Sequence, residues 1–98
     1  MLRFYRTLKI ALRNNAVLMA LDTLVRAAEY LIERGEMERA VQIIALVLRY
    51  PMPTRLKHRA EHHMLDLESE LPEHVIISAK AQTDLLTLED MVEELLTE

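Results

Sequence analysis

Residues 21–54 read LDTLVRAAEYLIERGEMERAVQIIALVLRYPMPT, and the fold turns on how this stretch is understood. Leu21, Leu24, Ala28, Leu31 and Ile32 recur at the three-or-four spacing of one helical stripe, with Ala20, Val25 and Ala27 widening it. Gly35, the only glycine of the chain, follows where that stripe must stop. Glycine takes the left-handed conformation after a helix at no steric cost. A second apolar run, Ala40, Val41, Ile43, Ile44, Val47 and Leu48, covers more than half a helical girth, as in a helix packed on two sides. Pro51-Met52-Pro53 ends it, because proline removes a backbone donor and clashes with the preceding turn. Two antiparallel helices, over about 16–34 and 37–50, are the expectation; finding strands there, or the two helices apart, would remove the basis of the reading.

Upstream, Phe4, Leu8, Ala11 and Leu12 share the stripe of a first helix over about 3–13, ended by Asn14-Asn15. Downstream, Thr54 is a natural N-cap for a helix over about 55–70, whose stripe is Leu56, Ala60, Met64, Leu67 and Leu71. Leu65 falls on the opposite side and hints at a second contact surface. Pro72 suits the first turn of a short segment over 73–82, with Val75, Ile76 and Ala79. Thr87-Leu88-Glu89-Asp90 reads as a capping-box variant opening a last helix to about residue 96, with Leu88, Met91, Val92, Leu95 and Leu96 inward. The fold class is all-α, five helices or six with the short segment, in one domain over 1–98.

Composition agrees. Of the 98 residues 51% are hydrophobic and 29% charged, with one Gly and three Pro, which favours helices with tight connections. With no Cys, disulfides and thiolate metal sites are excluded, and a reducing, cytoplasmic setting is expected. No run of 18 or more apolar residues could span a bilayer, so no membrane partner is expected. Arg3, Arg6, Lys9 and Arg13 stand among the first 14 residues without an acid, but the apolar stripe there fits a first helix better than a transit peptide. Charge is uneven: +4 over residues 1–14, and ten acids against Lys80 over 64–98, a net of −9. Such asymmetry suggests head-to-tail complementarity, within the fold or between chains; ordinary solvated helix faces are the plainer account. A net charge of −4 argues against nucleic acid.

Residues 21–54 resemble one tetratricopeptide repeat, a helix-turn-helix unit of about 34 residues. Leu24 and Ala28 stand where the family wants a large and then a small residue, Leu31 where it often has a tyrosine, and Gly35-Glu36 at its turn. Ala40 and Ile44 match the second helix, although Val47 is larger than usual. Small residues at crossing points let two helices approach to about 8–10 Å. Residues 1–14 are similar to the second half of a preceding repeat, and residues 54–98 to C-terminal capping helices. The whole order of elements resembles the extreme C-terminus of bacterial STAND-class regulators, including LuxR-like and SARP-like transcriptional regulators. The resemblance implies a solenoid end with a sensor role. It does not bring over ATPase or transcriptional activity, because the chain has no Walker A loop and no DNA-binding domain.

In such an array the first helix of each pair lines the groove, so the resemblance implies that Asp22, Val25, Arg26, Glu29, Ile32 and Glu33 face a partner. A surface network of side chains three and four residues apart is the alternative. His58, His62 and Asp66 fall at i, i+4 and i+8 and are candidate metal ligands. Solvated positions beside Arg55, Lys57 and Arg59 are the plainer reading, and neither metal nor cofactor is expected. His63 lies at the edge of the apolar stripe and reads as a packing histidine. Glu89, Asp90, Glu93 and Glu94 read as a wet helix face, and Ser69 and Ser78 lack nucleophile-elbow glycines, so no enzyme activity is expected. The expected function is a protein-protein interaction or sensor module whose partner is a protein or peptide segment, or a second copy reached through apolar surface on the first helix. The alternative is a small nucleic-acid-binding helical regulator using Arg3, Arg6, Lys9 and Arg13.

Overall fold

The computed structural model describes residues 2–96, which form six helices and no strand among the described residues. They are α1 (Leu2–Arg13), α2 (Val17–Glu33), α3 (Met37–Val47), α4 (Thr54–Glu70), α5 (Glu73–Thr83) and α6 (Leu88–Leu96). The side chain of Leu96, expected inward, lies outside the described residues.

Two connections have the same construction. After α2, Gly35 takes φ 81, its N–H donates to Ile32 O (3.0 Å), and the Glu36 N–H reaches back to Leu31 O (2.9 Å). After α1, Asn15 takes φ 54, its N–H donates to Leu12 O (3.2 Å), and Ala16 N–H reaches Ala11 O (2.7 Å). Both are Schellman turns, in which a left-handed residue satisfies the last orphan carbonyls of a helix. The residues that follow repeat as well, Ala16 at φ −88, ψ 70 and Glu36 at φ −90, ψ 62. Asparagine serves in the first turn because its short polar side chain tolerates this region, and glycine serves in the second.

These turns lay α1, α2 and α3 side by side, with the α2–α3 contact the most extensive in the molecule. Leu24, Ala28, Ala40 and Ile44 are completely buried and Leu31 is 1% exposed, while Ile32 and Leu48, also expected inward, are half-buried and Gly35 of the turn is exposed. Helix α3 is the centre: Ala40, Val41, Ile43, Ile44, Leu46 and Val47 are all buried, and α2, α4 and α5 pack around it. It ends at Val47 rather than near residue 50, because Leu48–Tyr50 already turn toward the prolines. Thr54 is not the cap of α4; it is the first helical residue, and Pro53 holds the cap position with φ −59, ψ 147 and no side-chain hydrogen bond. The capping box of α6 is present. Asp90 N–H donates to Thr87 Oγ1 (3.1 Å) and Thr87 N–H donates to Asp90 Oδ2 (2.9 Å), aspartate doing the usual work of glutamate.

The C-terminal helices do not extend an array. Helix α5 lies on α3, while α6 returns to pack on α1, burying Leu88, Met91, Val92 and Leu95. The loop after α3 fixes that return: Arg49 donates to Thr83 O (2.6 Å) and Leu86 O (2.8 Å), and Tyr50 Oη accepts from Leu88 N–H (3.0 Å). Arg39 adds a bond to Glu94 at 3.3 Å. The described chain measures 38 × 31 × 26 Å, closed rather than drawn out. Much of the apolar stripe of α1 is used within the fold: Leu8 and Ala11 are completely buried beneath α2 and α6, Phe4 and Leu12 are half-buried, and Ile10 of the same helix stays exposed. Of the described helices, none is long and apolar enough to cross a membrane.

The two turns make contrasting predictions. A Cβ at Gly35 would meet nothing within 4 Å, so Gly35→Ala acts through backbone strain alone. It should cost about 1 kcal/mol and lower the melting midpoint by about 4–8 °C. Asn15→Gly, at a position already left-handed, should shift the midpoint by less than about 2 °C. Thermal unfolding followed by circular dichroism measures both, and equal losses would contradict the shared geometry.

Candidate interaction groove

Asp22, Arg26, Glu29 and Glu33 recur at four- and three-residue steps, so one side of α2 carries them all. Helix α4 packs beside α2 and presents Arg55, Arg59 and His63, again one turn apart. Arg59 forks onto Glu29, Nε to Oε2 at 2.8 Å and Nη2 to Oε1 at 2.6 Å. His63 Nε2 lies 2.6 Å from Glu29 Oε2. Asp22 stands between two guanidiniums, with Arg26 Nε at 3.0 Å and Arg59 Nη1 at 3.7 Å. Burial alone would raise the Glu29 pKa, but the Arg59 and His63 hydrogen bonds and charges outweigh it and hold the carboxyl below its usual value. The same fork raises the Arg59 pKa.

Two open clefts meet over this stripe. One, of about 420 Å³, lies between α2 and α4 and is lined by Asp22, Arg26, Pro53, Arg55, Leu56 and Arg59. The other, of about 640 Å³, lies between α1 and α2, where Arg3, Phe4, Thr7, Met19 and Thr23 join the same Asp22 and Arg26. Because Asp22 and Arg26 line both, the clefts adjoin along α2, and the two together are the trough between α1 and α4. Its walls carry four arginines against Asp22, with Glu29 tied beneath, in a protein whose net charge is −4. Phe4 leans on Tyr30 of α2, ring centroids 5.8 Å apart, and Arg3 covers the Phe4 ring at 5.0 Å.

Of the six groove residues expected on α2, Asp22 and Arg26 line the trough. Glu29 is half-buried in the ion-pair network with α4, and Glu33 is exposed. Ile32 is half-buried and lines a separate hollow with Met37, His63 and Asp66. Val25 is a correction: it is completely buried, because the apolar side of α2 is wide enough to take it inward. The trough also contains residues not expected there. Arg55 and Arg59 enter because α4 stands beside α2, and Arg3, Phe4 and Thr7 because α1 flanks it on the other side. His63 is engaged by Glu29 rather than serving only as packing.

His58, His62 and Asp66 are not gathered into a centre. His62 Nε2 pairs with Asp66 Oδ2 at 3.4 Å on an open surface, and His58 is exposed. Among the described residues no three His, Cys, Asp or Glu side chains converge to hold a metal ion. The only buried polar side chains described are Thr23 and Thr83, whose hydroxyls donate to Met19 O and Lys80 O within their own helices.

No family model matches this chain, and no curated protein or solved structure proves significantly similar to it.

The Glu29 network gives α4 a pH-dependent hold on α2. A carboxyl whose folded pKa is depressed stabilises the fold above its unfolded pKa, here about 4.5, and that contribution fades as the pH falls through the folded value. Glu29→Gln should therefore cost about 1 kcal/mol at neutral pH, the partial exposure of the pair limiting its worth. The penalty should shrink in acid. Urea unfolding of both proteins at pH 7 and pH 3.5 measures it, and a penalty independent of pH would refute the assignment.

Proposed function

We propose that this chain is a non-catalytic protein-interaction module that docks a protein or peptide segment in the trough across α1, α2 and α4. The observation that carries the reading is that Asp22 and Arg26 belong to both clefts, so a single elongated surface offers charge and apolar area together. Phe4, Met19 and Leu56 supply contact area, and the arginines supply planar donors that pair with carboxylates in two-pronged fashion. The trough rests on helices rather than loops, and the Arg59–Glu29 fork fixes one wall. In a larger regulator of the tetratricopeptide-bearing kind that the sequence resembles, this would be the sensing surface; on its own the chain would act as an adaptor.

The second reading, nucleic-acid binding through Arg3, Arg6, Lys9 and Arg13, has only Arg3 in the trough, although the other guanidiniums there would serve phosphates equally well. The acidic remainder of the chain opposes it.

Selection of ligands from a displayed random-peptide library tests the proposal. The selected peptides should be enriched in Asp and Glu beside apolar residues. Arg26→Glu combined with Arg55→Glu should weaken them by about tenfold or more with helicity unchanged. Failure to select any peptide sensitive to these substitutions, or tighter retention of a single-stranded oligonucleotide than of any peptide at low salt, would overturn it.

A further inference from the structure

The trough has a counterpart elsewhere on the same molecule. Leu85, in the connection between α5 and α6, is 93% exposed, far more than any other large apolar side chain described. Asp84 precedes it, and Glu89 and Glu93 follow one turn apart on the outer side of α6. All three acids are exposed and make no ion pair among the described residues. This corner is held in shape from behind, where Arg49 grips the carbonyls of Thr83 and Leu86 and Tyr50 caps Leu88 N–H. An exposed apolar side chain, with an acid next to it in the chain and two more on the exposed side of the helix that follows, is thus presented to solvent. Its exposure places it outside the trough of its own chain.

The trough offers the inverse surface. Arg3 and Arg55 make no ion pair among the described residues; Arg26 pairs with Asp22, while Arg59 is held mainly by Glu29 and reaches Asp22 only at 3.7 Å. Phe4, Met19 and Leu56 are the apolar ground between them. We infer that the trough's occupant is a second copy of this chain, which inserts its Asp84–Leu85 corner and the outer side of α6. The inference rests on the docking role proposed above and names its partner. Leu85 enters among the apolar side chains while Asp84, Glu89 and Glu93 meet Arg26 and Arg55. The two surfaces differ, so the contact is head to tail: each pairing leaves one trough and one corner open, and association continues until a ring closes or, where the rotation does not close, into chains. Charges at this depth are screened over about 8 Å at physiological salt, so the association weakens as salt rises.

Sedimentation velocity on the whole chain, across concentrations at low and high salt, is the first measurement. The average mass should rise with concentration and fall with salt. Two variants then separate the surfaces: Arg26→Glu with Arg55→Glu in the trough, and Leu85→Lys with Glu93→Lys at the corner. All four positions are exposed, and unchanged helicity by circular dichroism confirms folding. Each variant alone should self-associate at least about tenfold more weakly. Mixed in equal amounts they should form a dimer that grows no further, because one keeps its corner and the other its trough. A chain that stays monomeric at every concentration and salt overturns the inference, as does association that both variants leave intact. If the monomer nonetheless binds acidic peptides through Arg26 and Arg55, the docking role stands and only the self-partner is wrong. If association is lost at the corner but persists in the trough variant, the docking role of the trough fails as well.

Discussion

Helix α3 sets the terms for everything around it. Ala40, Val41, Ile43, Ile44, Leu46 and Val47 are six buried positions in eleven, spread around most of the helical circumference. Each large aliphatic side chain among them gains about 1.5–3 kcal/mol on leaving water, in proportion to the area covered, so the full gain needs a neighbour on every apolar side of α3. The chain therefore surrounds it: α2 along one side, α4 beside α2, and α5 opposite. The polar loop at its end, Arg49-Tyr50, then ties down the connection that sends α6 back to α1. No part of this arrangement is complete before the rest is present, as expected of a domain of 98 residues with little core to spare.

The trough follows from the same arrangement. Surrounding α3 requires α4 to stand next to α2, and the repeated Schellman turn requires α1 to stand on the other side of α2. The outward side of α2 therefore becomes a floor between two walls. Because α1 and the beginning of α4 are the basic parts of the chain, the walls are basic. The Arg59–Glu29 fork serves both ends of this logic, fastening α4 to α2 and fixing one rim of the surface.

Much of the fold was legible because it rests on local chemistry. Gly35 and the prolines mark ends, the spacing of Leu24, Ala28 and Leu31 marks a buried stripe, and Thr87 with Asp90 marks a helix start; each is a decision made within a few residues. What lay beyond reach were contacts between segments far apart in sequence. Arg59 finds Glu29 across 30 positions and Arg49 finds Leu86 across 37. The return of α6 to α1 belongs to the same kind. An amphipathic helix declares that it has an apolar side without declaring what covers it, and so the stripe of α1 looked available for a partner. Val25 carried two readings: helical spacing counted it with the widened apolar stripe, the tetratricopeptide resemblance turned it toward a partner, and its complete burial agrees with the stripe. The histidines at 58 and 62 share a helical face with Asp66, but a shared face is not a converging one.

Asp22 has a further meaning for whatever enters the trough. It already sits between Arg26 and Arg59, at 3.0 and 3.7 Å, in the place where an incoming carboxylate would be held. The surface carries its own resident competitor. An acid arriving at Arg26 must displace Asp22 from it, and a departing one is replaced at once by a group that never left; only Arg3 and Arg55 can be met without that exchange. Contacts made here are thereby biased toward quick exchange, with selectivity coming from how many points touch at the same time rather than from the grip of any one of them.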